Sequence, residues 1–411
     1  MKIPLSKPDI TAEEIAAVTD VLTSRRLSLG SYLQRFEEAV AEYVGAGAAL
    51  AVSSGTAGLH LSLLTSGVRP GEHIITTPFS FIASANVILY VGARPVFVDV
   101  EHETGNISPK AIEEKIGDEY IRCDGHWVCW KDGRRLWGIL PVHVFGHPCR
   151  MDDLAAIAGK YGLVIIEDAC EAMGSFYFSE KEGRWLHTGT TGRAGVFAFY
   201  PNKQITTGEG GVLVSDDKEM IRLARSLSNQ GRDDMGTWLV HPRLGYNYRM
   251  DEMSAALGLA QLERMGEMRE KRRRVARLYR EHLRELEEIE TPPEMDYAEV
   301  NPFVYVIKVR QGDRDDLMRH LASRGIETRP YFTPIHLQPF YAERFGFRRG
   351  MFPVSEGLGE TCLALPFHNN LGEEEVAYVA DSIKIWLGKR IKFKRRTENE
   401  KVRRVLEAKL G

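Results

Sequence analysis

The stretch "FYPNKQITTGEGG" places Lys203 between an apolar run and a glycine-rich turn. Most lysines are solvated surface groups. One that is partly desolvated and fixed is an amine nucleophile able to form a Schiff base. Both readings suit Lys203. Gly208, Gly210 and Gly211 suit a plain loop-to-strand turn, or a turn that brings backbone close to a ligand. Asp168 follows the apolar run "LVII". It is either a helix cap or a buried carboxylate that pairs with a cation, such as a protonated ring nitrogen. Gly55 and Thr56, in "SSGTAGLHLSLL", open a helix after a strand. Backbone N–H groups at such a start bind phosphate with help from the helix dipole, although capped starts of this kind are common. Phe81, in "TPFSFIASAN", is a core aromatic or the face on which a flat ring stacks. In chain order these are a phosphate cradle, a ring face, a ring-nitrogen partner and a Schiff-base amine. Pyridoxal phosphate uses each of the four.

The elements that hold these residues alternate. "ALAV", "HIIT", "RPVFVDV", "LWGILPVHVFG", "LVIIEDAC", "VFAFY" and "GVLVSD" read as strands. "SSGTAGLHLSLL", "ASANVILY" and "MDDLAAIAGKYG" read as helices between them. Strands that are apolar throughout and separated by helices predict an α/β fold with a mainly parallel sheet covered on both faces. Ligands of such sheets bind beyond the carboxyl ends of the strands, where Thr56, Phe81 and Asp168 fall. "TAEEIAAVTDVL" and "SYLQRFEEAVAEYVGA" predict two N-terminal amphipathic helices. The chain divides into a large α/β unit over 1–250, a connector helix with a small α+β unit over 251–388, and a basic helical tail over 389–411. The connector is one long helical stretch, "MDEMSAALGLAQLERMGEMREKRRRVARLYREHLREL". The tail reads as a solvated helix rather than as a polyanion-binding segment.

The 411 residues carry a net charge of −3, so no global field argues for nucleic acid. "MKIPLSKPDI" lacks the apolar core of a leader, and no stretch approaches the length of a membrane span. The expectation is a cytoplasmic protein. Cys123, Cys129, Cys149, Cys170 and Cys362 fit reduced thiols better than a disulfide framework.

Seven segments in order make the sequence resemble the DegT/DnrJ/EryC1/StrS aminotransferases, the sugar aminotransferase branch of fold-type-I pyridoxal-phosphate enzymes. They are "SSGTAGLHLSLL", "TTPFSFIASANVILYVGARPVFVDV", "PVHVFGHPCRMDDL", "IIEDACEAMGS", "FAFYPNKQITTGEGG", "LGYNYRMDEMSAALGLAQLE" and "RPYFTPIHLQ". The resemblance spans the chain to about residue 388 and implies a central sheet of the seven-stranded type. It assigns Lys203 as the covalent anchor of the cofactor and Asp168 as the partner of its ring nitrogen. Gly55 and Thr56 become the phosphate turn, and Phe81 the residue beside the ring. Asn247, in "YNYRM", matches an asparagine that reaches the cofactor phosphate of a neighbouring subunit, which implies a homodimer with shared sites. Tyr331 and His336 match a region that contacts substrate. The implied reaction is ping-pong amino transfer from glutamate to a keto-sugar, a nucleotide-linked 4-keto-6-deoxyhexose above others. A keto-cyclitol aminotransferase and a non-enzymatic cofactor-binding regulator are the rival readings. The retained lysine disfavours the related dehydratases, which carry histidine there.

Two departures stand out. Ala198 and Tyr200 replace the family's Ser and His before the lysine, so a hydroxyl contact to phosphate is missing unless Tyr200 or Asn202 supplies one. Glu171 stands where the family has Gln or His against the ring; it is protonated, paired with a cation, or turned away. The segment "RCDGHWVCWKDGRRLW" (122–137) reads as an inserted surface hairpin. The C-x5-C spacing of Cys123 and Cys129, with His126 between, is no zinc pattern, and no metal is expected.

Overall fold

The computed structural model describes residues 1–233, 240–310 and 313–390. The N-terminal strands are β1 (Ala48–Val52), β2 (His73–Thr76), β3 (Arg94–Phe97), β4 (Tyr120–Cys123), β5 (His126–Cys129) and β6 (Leu136–Ile139). They continue with β7 (Val164–Asp168), β8 (Phe176–Ser179), β9 (Arg184–His187), β10 (Ala194–Ala198) and β11 (Gly211–Ser215). Seven of them form one sheet in the order β1-β11-β10-β7-β6-β2-β3. The pairs from β10 through to β3 are parallel, as their apolar character predicts. β11 departs from this by running antiparallel to both of its neighbours.

Helices cover both faces. α1 (Ala12–Ser24) and α2 (Ser31–Val44) form where the sequence predicts them, and Thr11 and Glu14 close a capping box on α1. α3 (Gly55–Thr65), α4 (Ala83–Tyr90), α5 (Pro109–Glu119), α6 (Met151–Tyr161) and α7 (Lys218–Ser228) follow. Along β11, Leu213 packs with Leu59, Leu61 and Val196 on one face, while Val212 and Val214 pack with Phe36 and Phe197 on the other. All five residues of β11, from Gly211 to Ser215, are therefore buried.

The single long helix expected after Met250 is two, α8 (Glu252–Glu263) and α9 (Met265–Leu283). Arg264 closes one and opens the other; its guanidinium lies 2.6 Å from Glu14 and 3.6 Å from Asp9, and that anchorage fixes the turn. The run "LWGILPVHVFG" likewise stops being a strand at Ile139, before Pro141, and Phe145 adopts the left-handed region at φ 58°. The inserted segment is a hairpin, β4 against β5, turning on Asp124 and Gly125 at positive φ.

The second sheet is antiparallel. It contains β12 (Ile289–Glu290), β14 (Tyr305–Val309), β16 (Cys362–Leu365) and β15 (Arg329–Pro330), while β13 (Ala298–Glu299) pairs with β8. Its core joins Tyr279 and Leu283 of α9 to Tyr305, Ile307, Leu365 and Ile383. Ile3 is buried in this core and bridges to Ile326, so the extreme N-terminal residues pack with the second sheet rather than the first. Residues 373–390 are helical, and the basic tail from 391 lies outside the described residues.

Candidate active site

A pocket of about 490 Å³ opens at the carboxyl ends of β1, β7 and β10. Gly55, Thr56, Phe81, Asp168, Glu171, Lys203 and Tyr331 all line it. The approach at α3 is tight. A Cβ on Gly55 would stand 2.7 Å from Ala198 Cβ and 2.8 Å from Cys170 Sγ, so only glycine fits. Ser54 spends its side chain capping α3 by accepting from the Ala57 N–H. Ala198 takes the place of a hydroxyl in the pocket wall, beside the exposed Tyr200. Asn202 also lines it, and its side-chain oxygen is buried without a hydrogen-bond partner.

Asp168 ends β7 and is buried. Its carboxylate accepts from Ser84 Oγ at 2.6 Å and from the Cys170 N–H at 3.1 Å. These two donors fix its plane. Phe81 is 63% exposed and lines the pocket, so it is not a core residue.

Lys203 sits in the turn after β10. Gly208, at φ 81°, lets that turn close, and Thr206 and Thr207 brace it by donating to the carbonyls of Phe199 and Glu209. The Lys203 Nζ lies 3.5 Å from Glu171 Oε1 and 4.2 Å from the centre of the Phe303 ring. Of the three states open to Glu171, the structure shows pairing with a cation. Its other oxygen accepts from the Phe145 N–H at 2.8 Å. Burial pushes the Glu171 carboxyl above the ordinary carboxylate value, and the Lys203 charge partly opposes this.

A raised value in the folded state has a definite sign. The stability it contributes is complete below the unfolded value and is lost as pH rises through the folded one. As pH rises from about 4 through the raised folded value, wild-type protein is expected to lose stability relative to Glu171→Gln. The loss amounts to about 1.4 kcal/mol for each unit by which the folded pKa exceeds the unfolded one. Urea unfolding of both proteins across that range checks it, and a constant difference refutes it.

Several contributors gave no local signal. Arg272 of α9 is 5% exposed. Its guanidinium donates to the carbonyl of Lys203 at 2.7 Å and to those of Pro302 and Phe303 at 3.2 and 3.3 Å. Ser84 is legible only through Asp168. Phe332 stacks on Phe145 at 5.4 Å and, with Tyr331, walls the pocket from the side of the second sheet.

Two expected residues lie elsewhere. His336 is fully buried, 2.9 Å from Glu356 Oε1 and packed on Phe352, and does not line the pocket. Its place in "PYFTPIH" suggests a substrate contact, but the turn at Ile335–Leu337 points it inward. Asn247 is exposed and outside the pocket, on a segment held by the stacked Tyr246 and Tyr248, which pack on His60 of α3.

Residues 8–384 match the model of the DegT/DnrJ/EryC1/StrS aminotransferase family. The chain is 35% identical over 382 residues to GDP-perosamine synthase of Escherichia coli O157:H7, covering 93% of this chain and 97% of that one. Among solved structures it resembles DesV of S. venezuelae in complex with a ketimine intermediate, with a TM-score of 0.83, 31% identity, and 94% and 98% of the two chains covered. Helicobacter pylori PseC, an aminotransferase involved in the biosynthesis of pseudoaminic acid, matches at a TM-score of 0.82 and 27% identity, over 93% and 98%. These matches, over the length of a fold whose sheet ends gather a lysine, an aspartate and a glycine-opened helix, show that the chain is an aminotransferase belonging to the DegT/DnrJ/EryC1/StrS family.

Proposed function

We propose that this enzyme uses pyridoxal phosphate to move an amino group from glutamate to a nucleotide-linked 4-keto-6-deoxyhexose. The observation that carries the proposal is the convergence of Lys203, Asp168 and the start of α3 on one pocket. The residues fit the cofactor. A glycine is required where α3 approaches β10, a buried carboxylate faces the pocket, and a lysine reaches it with its side chain only 14% exposed. The relative named for GDP-perosamine supports a nucleotide-linked sugar.

The cofactor, when bound, supplies an electron sink for the charge left as a proton leaves the amine-bearing carbon. Lys203 Nζ would attach the cofactor covalently and is the amine placed to serve as the base for that proton. Asp168 holds a proton on the ring nitrogen. The N–H groups of Gly55 and Thr56 bind phosphate, and Asn202 or Tyr200 occupies the space left by the missing serine. Phe81 offers a ring face, and Tyr331 and Phe332 exclude water. Glu171, 3.5 Å from Lys203 Nζ, holds the amine in place at the pocket wall. The proposed working unit is a homodimer, in which Asn247, exposed and outside the pocket of its own chain, would reach the pocket of the second copy. No helix among the described residues is long and apolar enough to cross a membrane, and the proposed setting is the cytoplasm.

Glutamate-dependent conversion of a panel of nucleotide keto-sugars and keto-cyclitols, read by product mass, tests the reading. Amination of a nucleotide-linked 4-keto-6-deoxyhexose is expected. Amination of cyclitols alone would overturn the sugar assignment.

A further inference from the structure

The inserted hairpin brings a second set of reactive side chains together, far from the pocket. His73 is the first residue of β2, at the end of that strand opposite the active site. Cys129 ends β5, and Asp132 lies in the turn that follows. The His73 ring nitrogen, the Cys129 sulfur and an Asp132 oxygen all lie within 4.8 Å of one another. His73 and Cys129 are each 3% exposed, and Asp132 closes the cluster at the surface. We propose that this cluster is a zinc site, with His73, Cys129 and Asp132 as protein ligands and water as the fourth.

The geometry is close to what zinc needs. Two nitrogen or oxygen ligands on a tetrahedral zinc stand about 3.3 Å apart, given metal–ligand distances of about 2.0 to 2.1 Å. His73 Nε2 and Asp132 Oδ2 are already 3.1 Å apart. That contact lacks the alignment of a hydrogen bond, and Nε2 is buried without a hydrogen-bond partner. The other ring nitrogen, Nδ1, is 2.8 Å from the Tyr120 hydroxyl, the kind of outer partner that orients a metal-binding imidazole. Thiolate and carboxylate together cancel the charge of Zn²⁺. Arg94, 3.5 Å from Asp132 Oδ2, and the Arg134 N–H on the other Asp132 oxygen remain as outer partners of the carboxylate. Binding releases the Cys129 thiol proton to solvent and leaves every oxidation state unchanged. The sequence hid the site because its first ligand lies upstream of the insertion, while Cys123 and His126, the neighbours that invite a metal reading, are exposed at the hairpin tip.

The test uses untagged, full-length, cofactor-loaded protein, stripped of metal by a chelator and dialysed. Titration with Co²⁺ is expected to give tetrahedral d–d absorption in the red, beyond the cofactor's own absorption. It should saturate at one equivalent per chain and be displaced by Zn²⁺. Cys129→Ser should abolish it and Cys123→Ser should keep it. His73→Gln should weaken zinc retention by more than the roughly 100-fold that outer-shell partners cost. Thermal unfolding of each variant shows that the fold is intact. A folded wild-type protein that gives no cobalt absorption and retains no zinc overturns the proposal, as does absorption that survives Cys129→Ser.

Discussion

Lys203→Ala is expected to abolish the visible absorption of covalently bound cofactor and to slow amino transfer by about 10⁴-fold or more. Loss of a positioned base accounts for up to about 10⁴-fold, and loss of covalent attachment adds to it. The substitution also leaves Glu171 buried without its cation. Removing one partner of a buried pair costs about 3 kcal/mol or more. A second variant separates the two effects. Lys203→Ala/Glu171→Gln should recover much of the lost stability at neutral pH, because no unpaired charge remains, and none of the activity. Thermal unfolding and single-turnover transfer from glutamate measure each arm. Normal turnover by Lys203→Ala would end the proposed mechanism. Full activity in the double variant would do the same.

Asp168→Asn is expected to lower amino transfer by about 10²–10³-fold, the range for removing one electrostatic contact to developing charge. Asp168 accepts a hydrogen bond on each oxygen, from Ser84 and from the Cys170 N–H. An asparagine satisfies one of these donors and sets its NH₂ against the other. It also cannot hold a proton on a ring nitrogen, because it carries no charge. Stopped-flow measurement of the glutamate half-reaction checks this, with unfolding temperature as the control. A variant within tenfold of wild type would remove Asp168 from the reaction.

That Lys203, Asp168, Gly55 and Phe81 line one pocket was legible because each lies at or after a strand end, and in this class of sheet the strand ends converge. Their signals are local. Those of Ser84 and Arg272 are not: the Arg272 contact with Lys203 spans 69 residues, and its partner is a carbonyl, which every residue possesses. His336 shows the reverse error. It lies in a matching motif, yet Glu356 draws it inward. The sheet was readable for the same reason as the site, since unbroken apolar runs demand cover on both faces. The reversed direction of β11 was not, because an unbroken apolar run such as that over 212–214 reads alike in either direction.

Arg272 has a consequence for how this enzyme can change. Its guanidinium clasps the backbone of Lys203 and of Phe303, the ring beneath the amine. Lys203, the aromatic ring beneath it and α9 are thereby one mechanical piece, held through backbone carbonyls. Tyr331 and Phe332 meet the same pocket from a separate segment after β15. Substitutions at Tyr331 and Phe332 are therefore expected to change which substrate is accepted while the Lys203 amine keeps its position.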